Sequence, residues 1–471
     1  MLSKLPRDIL LQDILILLDS KSLINLSMVS TYFNYLVNDQ HIWKRLCHQE
    51  FNISQDNAFR NKGWKQLYIA LLVDTRVFTW GENQDDRLGL TPKVSTDAFQ
   101  FNIRNPRTRY PRTVTTPQEV ACLQNKGIID IVSGGWSFHA LDSSGSVWMW
   151  GTMQQEISPR RSIGTRRLLT PTKIQESNTT QPTIHFSSIS SGRAHVIGLA
   201  RDGSVWHWSN HIMLQRVDLN LDGDEKVVQV SANWTNSSVL TNLGFIYVIP
   251  SPDMILPSKV EEEPEPTHVV ADRIGRDIVQ IAGLDNYTLA LTKDGRVMKY
   301  TTTDATAYLA NPEENTAELV KFSAVQPEIN HRDGIMNRFI TGAFNNFAVY
   351  TKSGQVLIGK ADADPTTDPI IFRELQNRDV CKVSFGDYHF GAVTNEGELL
   401  TWGNYSSGAL GHGNMQQTSQ PTPKIVEALS SMFVFAIGFG GWQSSVLAIP
   451  NGPEGDTSDE TVDDNFIRTD Q

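Results

Sequence analysis

A stretch of 19 residues, SSGRAHVIGLARDGSVWHW (190–208), recurs in varied form along this chain and restricts its fold more than any other feature. It reads as two short strands, Val196–Ala200 and Ser204–Trp208, joined by a tight turn at Asp202-Gly203. Glycine supplies the positive φ that such a turn needs, because it has no Cβ to clash. A hairpin this small cannot bury its own apolar face, so the copies must stack on one another. Their turn glycines fall at Gly145, Gly203, Gly244, Gly295, Gly354, Gly397 and Gly452, 41 to 59 residues apart. That spacing is too irregular for a solenoid and ordinary for propeller blades with loops of varying length.

Before each hairpin runs a further apolar strand, such as IIDIVSGG (128–135), VVQVSANW (227–234) and VCKVSFG (380–386). Short side chains and terminal glycines suit the crowded innermost strands around a propeller axis. Pro171–Ile174, Ile370–Leu375 and Pro423–Val426 suggest a fourth, outer strand. Seven four-stranded blades follow. The last copy, Gln443–Ile449, has no partner after it, and RVFTWG (76–81) has none before it. Pairing the two closes the ring and leaves no open edge.

The 471 residues then divide into a helical segment 1–50, a helical linker 51–75, a propeller 76–450 and an acidic, disordered tail 451–471. A net charge of −11 speaks against general binding to nucleic acid or to an anionic membrane. Cys47, Cys122 and Cys381 lie far apart, which suggests neither a disulfide framework nor a zinc site and fits a reducing compartment, the cytoplasm or nucleus. Ile9–Leu18 is too short for a membrane span and lacks a signal-peptide cleavage site.

Within the helical segment, Pro6 opens a first helix carrying Leu10, Ile14, Leu17 and Leu18. Ser20, Thr31 and Asp39 are candidate caps for three more. Eight of the ten residues from Ile9 to Leu18 are apolar, and a domain of this size cannot cover two faces of one helix. The surplus face is covered either by the propeller or by a protein partner.

The run LSKLPRDILLQDILILLDSKSLINLSMVSTYFNYLVNDQHIWKRLC (2–47) closely resembles an F-box, from its Leu5-Pro6 start to Trp43-Lys44-Arg45-Leu46 at its end. The resemblance implies docking on a Skp-type adaptor, and through it on cullin and RING subunits. Carried over by position, Leu5, Pro6, Ile9, Ile14, Leu17, Leu18, Leu23, Leu26 and Val29 are the implied adaptor contacts, with Trp43 closing the fold or touching the adaptor.

A second helical pattern, Trp64, Leu67, Tyr68 and Leu71, leads almost directly into the closing strand. In the propeller, Trp80-Gly81-Glu82-Asn83 and WGNYSSGALGHG (402–413) resemble the repeat of the regulator of chromosome condensation family, as do Gly192–His195 and Gly386–His389. The position of those two histidines is taken by Ser137, Asn236, Tyr287, Asn346 and Ser444 in other blades, which suits hydrogen bonding between blades better than catalysis.

Two basic loops, one with Arg104, Arg107, Arg109 and Arg112 and one with Arg160, Arg161, Arg166 and Arg167, are candidate substrate contacts for an acidic target. The sequence has no Walker A, HExxH or GxSxG motif, and its spacings suggest no metal or cofactor. The expected function is a non-catalytic substrate receptor of an SCF-type ubiquitin ligase. Nucleotide exchange on a small GTPase and a non-degradative scaffold are the alternatives.

Overall fold

The computed structural model describes residues 5–51, 63–72, 75–90, 111–153, 168–174, 183–211, 214–252, 265–303, 305–323, 337–404, 407–414, 416 and 419–451. Seven sheets stand around an axis, and their innermost strands are Ile128–Ser133, Phe186–Ser191, Val227–Ala232, Ile278–Gly283, Asn337–Ala343, Val380–Phe385 and Met432–Gly440. We number the blades 1 to 7 in that order. Each innermost strand pairs with the next strand through a β-bulge near its start. The extra residue increases local twist, and here it recurs once per blade.

Small polar side chains stitch neighbouring innermost strands together. Gln229 holds the backbone of Ile281 with two hydrogen bonds of 2.8 and 2.9 Å, and Gln280 holds Ile340 in the same way at 2.8 and 3.0 Å. Ser190, Ser231 and Ser384 each accept a backbone N–H from the following blade. The short side chains of these strands are therefore both a packing and a hydrogen-bonding requirement.

The ring closes as the sequence implies. Arg76–Glu82 lies between Gln443–Pro450 and Thr113–Glu119, in a register that runs from Arg76 opposite Ala448 to Gly81 opposite Gln443. Blade 7 thus takes two strands from each end of the propeller. Strand number departs from expectation in two blades. Blade 5 has three strands, because Ile370 makes only a single bridge to Ile358 before Arg373–Leu375 turns into a 3-10 helix that buries Leu375. Blade 2 has five, because Thr267–His268 from the blade 3 connection adds in parallel to Gln215–Asp218.

The N-terminal helical segment begins with a stretch of changing pitch: an α turn at Arg7–Ile9, a π turn at Leu10–Ile14 and a 3-10 turn at Leu15–Leu17. Five residues per hydrogen bond bring Leu10 and Leu15 onto one face, and both are buried. Helices Ser20–Ser27, Thr31–Val37 and Gln40–Phe51 follow. The caps of the first two sit one residue earlier than expected: Asp19 Oδ1 accepts from Ser22 N–H at 2.7 Å, and Ser30 Oγ from Phe33 N–H at 3.3 Å. Asp39 caps the last as predicted, accepting from His41 N–H at 3.0 Å.

Helix Trp64–Leu71 packs against Gln40–Phe51, with the rings of Trp43 and Tyr68 5.2 Å apart. It is thus part of the helical core, in the stretch expected to be a linker. Tyr68 donates a hydrogen bond to Glu50, and burial first, then that contact, pushes its hydroxyl up to about 12. The helical core runs on into blades 7 and 1, and Phe51 packs at once against it and against the core shared by blades 1 and 2. The helical domain is therefore seated at the end of the ring where Arg76 begins.

Candidate functional site

The first candidate surface lies on the helical domain. Leu17 is 80% exposed, Met28 74% and Val29 68%, and Leu5, Pro6, Ile9, Ile24, Tyr32 and Tyr35 are also exposed. Side chains this apolar are ordinary when scattered singly, but here they crowd one small domain. Of the ten positions implied by the F-box resemblance, Leu5, Pro6, Ile9, Leu17 and Val29 face solvent, while Ile14, Leu18 and Leu26 are half-buried against the core. Leu23 and Trp43 are wholly buried, with Trp43 Nε1 donating to Val37 O at 2.6 Å. In this structure those two side chains lie in the core of the helical domain. The exposed Ile24, Met28 and Tyr32 are not among the contacts implied by the resemblance, although they sit beside Leu23 and Val29 in the motif.

The second surface is the far mouth of the ring. Each innermost strand turns there into the second strand of its blade, and the turns place Trp136, Arg193, Trp234, Asp285, Phe344, Asp387 and Trp442 around the axis. Backbone hydrogen bonds link turn to turn: Gly135 N–H to Arg193 O at 2.8 Å, Asp285 N–H to Phe344 O at 2.7 Å and Asp387 N–H to Gly441 O at 2.9 Å. Glycines allow that approach, since a Cβ on Gly441 would lie 2.1 Å from the Gly135 oxygen.

Arg193 is held between two indoles, its Cζ 4.6 Å from the Trp136 ring centre and 4.2 Å from that of Trp234. Burial raises the pKa of Asp285 and of Asp387, and the nearby Arg193 charge opposes the rise. A depression of about 220 Å³ opens beside these groups, lined among others by Arg87, Trp136, Arg193, Asp387 and Trp442. Sequence reasoning missed this crown, because the residue type changes between Trp, Arg, Asp and Phe from blade to blade and no motif results.

Among the predicted basic contacts, Arg112 is exposed just before Thr113–Glu119. Arg104, Arg107, Arg109, Arg160, Arg161, Arg166 and Arg167 lie outside the described residues, as does the acidic tail 452–471.

Two of the four buried histidines bond between blades. His195 Nε2 meets Ser237 Oγ at 2.9 Å and His389 Nε2 meets Ser444 Oγ at 2.9 Å, each in the following blade. The Gly-x-x-His pattern has a steric cause: a Cβ on Gly386 would lie 2.3 Å from the His389 ring and one on Gly192 2.5 Å from that of His195. Burial lowers His195, His207 and His389 to about 4 and His139 to about 3, so all four are neutral near pH 7. An unfolded chain binds protons at these sites once the pH drops below about 6.5, while the folded one resists until about 4. Their contribution to stability is therefore complete above pH 6.5 and lost as pH falls toward 4, each adding a slope of up to ~1.4 kcal/mol per pH unit. Urea midpoints at pH 7, 6 and 5 should fall steeply, and the slope should flatten in His195→Asn/His389→Asn; an unaltered slope would contradict the assignment.

Comparison with known proteins gives a consistent result for both halves. An F-box-like family model matches residues 2–49, and the Regulator of chromosome condensation (RCC1) repeat matches residues 74–141 and 396–447. F-box protein pof9 of Schizosaccharomyces pombe is 23% identical over 474 residues, covering 95% of this chain and 90% of that protein. SCF-associated factor 1 of Saccharomyces cerevisiae is 23% identical over 184 residues, 29% of each chain. The crystal structure of Prp20p from Saccharomyces cerevisiae, reported with its binding properties to Gsp1p and histones, aligns with a TM-score of 0.59. It is 16% identical, covering 88% of this chain and 96% of that one, and the likeness is one of fold.

Proposed function

We propose that this chain, an F-box protein whose larger part is a propeller of the regulator-of-chromosome-condensation type, is the substrate-receptor subunit of an SCF-type ubiquitin ligase. The observation that carries the reading is the crowding of Leu17, Met28 and Val29, all more than two-thirds exposed, on the segment that matches the F-box-like model. Exposed apolar side chains concentrated in one small domain mark a protein interaction site, and a partner that covers them gains their burial. In this reading the partner is the Skp-type adaptor, which brings cullin and RING subunits, and the contacts are Leu5, Pro6, Ile9, Leu17 and Val29, flanked by Ile14, Leu18 and Leu26. The propeller holds the protein to be ubiquitinated. Ligase chemistry belongs to the partners, so the receptor itself needs no catalytic group, and its working place is the cytoplasm or nucleus.

Seating the helices at the Arg76 end of the ring supports this division of labour, because it keeps them away from the opposite mouth. The test compares wild-type chain with Leu17→Asp/Val29→Asp in cells. Proteins captured by both forms should accumulate with the variant, and proteasome inhibition should erase the difference. Captured proteins whose abundance ignores both treatments would mark the chain as a scaffold. Acceleration of nucleotide release from a small GTPase by the purified chain would favour the exchange-factor alternative, to which a likeness of fold adds nothing.

A further inference from the structure

We propose that the far mouth of the propeller takes a basic side chain, an arginine or lysine at the tip of a client loop, against Asp387, Tyr388 and Trp442. The proposal rests on the reading of the propeller as the client-binding half and names the chemistry of what it holds.

The cations already at the mouth are engaged. Arg193 is stacked between Trp136 and Trp234, and Arg87 Nη1 lies 3.5 Å from Glu82 Oε2 and 3.5 Å from Gln443 Oε1. The acids are not matched in the same way. Asp285 and Asp387 are half-buried at the turns, and among the described residues neither carboxylate has an ion-pair partner or a hydrogen bond to its oxygens. Among the described residues at these turns and around the depression, Arg87 is set against Glu82 and Arg193 alone faces two carboxylates, so their excess charge is negative. Partial burial with one cation shared between them leaves such carboxylates at a free-energy disadvantage that a second ammonium or guanidinium reduces.

Aromatic surface lies beside that charge. Tyr388 is 50% exposed and Trp442 38%, with ring centres 6.4 Å apart, and Tyr388 follows Asp387 directly in the chain. Ring faces attract cations, and the same mouth already binds one guanidinium in this manner at Arg193. An acidic side chain would meet Glu82 and Asp387, which line the same depression, and a purely apolar one would leave the Asp387 carboxylate desolvated and unpaired. Position agrees with the chemistry: the mouth lies one strand length from the helical domain, at the Gly81 end of Arg76–Glu82, about 20 Å away at ~3.3 Å per residue.

The experiment uses the full chain and four fluorescein-labelled peptides, glycine and serine throughout except for one central arginine, lysine, glutamate or norleucine. Anisotropy at low and at physiological salt reads their binding. The arginine and lysine peptides should bind at least tenfold better than the other two, and more weakly as salt rises. Asp387→Asn, which keeps the shape of the turn, should weaken them at least tenfold, and Tyr388→Ala, at an exposed position, severalfold. Preference for the glutamate peptide, equal binding of all four, no binding of any, or full binding by Asp387→Asn would each overturn the proposal. Capture of the Skp-type adaptor, unaffected by Asp387→Asn, reports separately on the ligase reading.

Discussion

Replacing Leu17 and Val29 by aspartate should reduce affinity for the Skp-type adaptor by roughly 1,000-fold while leaving the melting temperature of the chain unchanged. Central apolar anchors of an interface are each worth about 2 kcal/mol or more, and two of them give that factor. Stability should not move, because both side chains are already in water, at 80% and 68% exposure. Leu23→Ala supplies the contrast. That side chain is fully buried, so its truncation should destabilise the helical domain by about 2–5 kcal/mol through the cavity it leaves. Titration of purified chain with adaptor, alongside thermal unfolding of all three proteins, separates contact from core. Undiminished binding by the double variant would remove this face from the interface.

Opening the ring should be the most damaging change in the propeller. Trp80 is fully buried, its Nε1 donates to Ala409 O at 2.7 Å, and its ring meets Phe439 edge-on at 5.9 Å. It therefore bonds the strand from the front of the chain both to the last innermost strand and to the loop between the third and fourth strands of blade 6. Trp80→Ala should cost about 3–5 kcal/mol from lost packing, with more from the stranded carbonyl. Hydrogen exchange should show protection falling together in Arg76–Glu82 and Gln443–Pro450, with helices Thr31–Val37 and Gln40–Phe51 still protected. Retained protection in blade 7 would mean that closure rests on the backbone ladder alone.

Much of this architecture was legible in the sequence because its local signals agree with one another. Asp202-Gly203 and Asp294-Gly295 mark turns by backbone chemistry, the strands beside them are apolar, and the unpaired strand at each end predicted the closing blade. Where signals competed, the reading failed. Ile370–Leu375 is apolar enough for an outer strand, but Pro369 withholds a backbone donor before it and burial of Leu375 draws the chain into a 3-10 turn. Asp19 and Ser30 cap helices that Ser20 and Thr31 could have capped, since adjacent oxygen-bearing side chains are interchangeable in sequence and only one points at the free N–H groups.

The sorting of contact from core leucines was obscured by the π turn, which puts Leu10 and Leu15 together and sends Leu17 outward where a regular period of 3.6 would not. The crown at the far mouth was illegible for a different reason. Arg193, Trp234, Phe344 and Asp387 share a structural position but neither a residue type nor a fixed spacing, so only the superposition of blades brings them together.

Blade 7 joins strands from opposite ends of the propeller, and translation delivers them far apart in time. Some 360 residues separate Glu82 from Gln443, which at roughly 5–20 residues per second is an interval of about 20 to 70 s. The helical domain is finished long before the interval ends, while Val77 and Trp80 wait on the ribosome without their neighbours. A message interrupted between Glu82 and Gln443 thus yields a polypeptide with its helical domain intact and its ring unlatched, which in the proposed reading is a decoy that would occupy adaptor and deliver nothing.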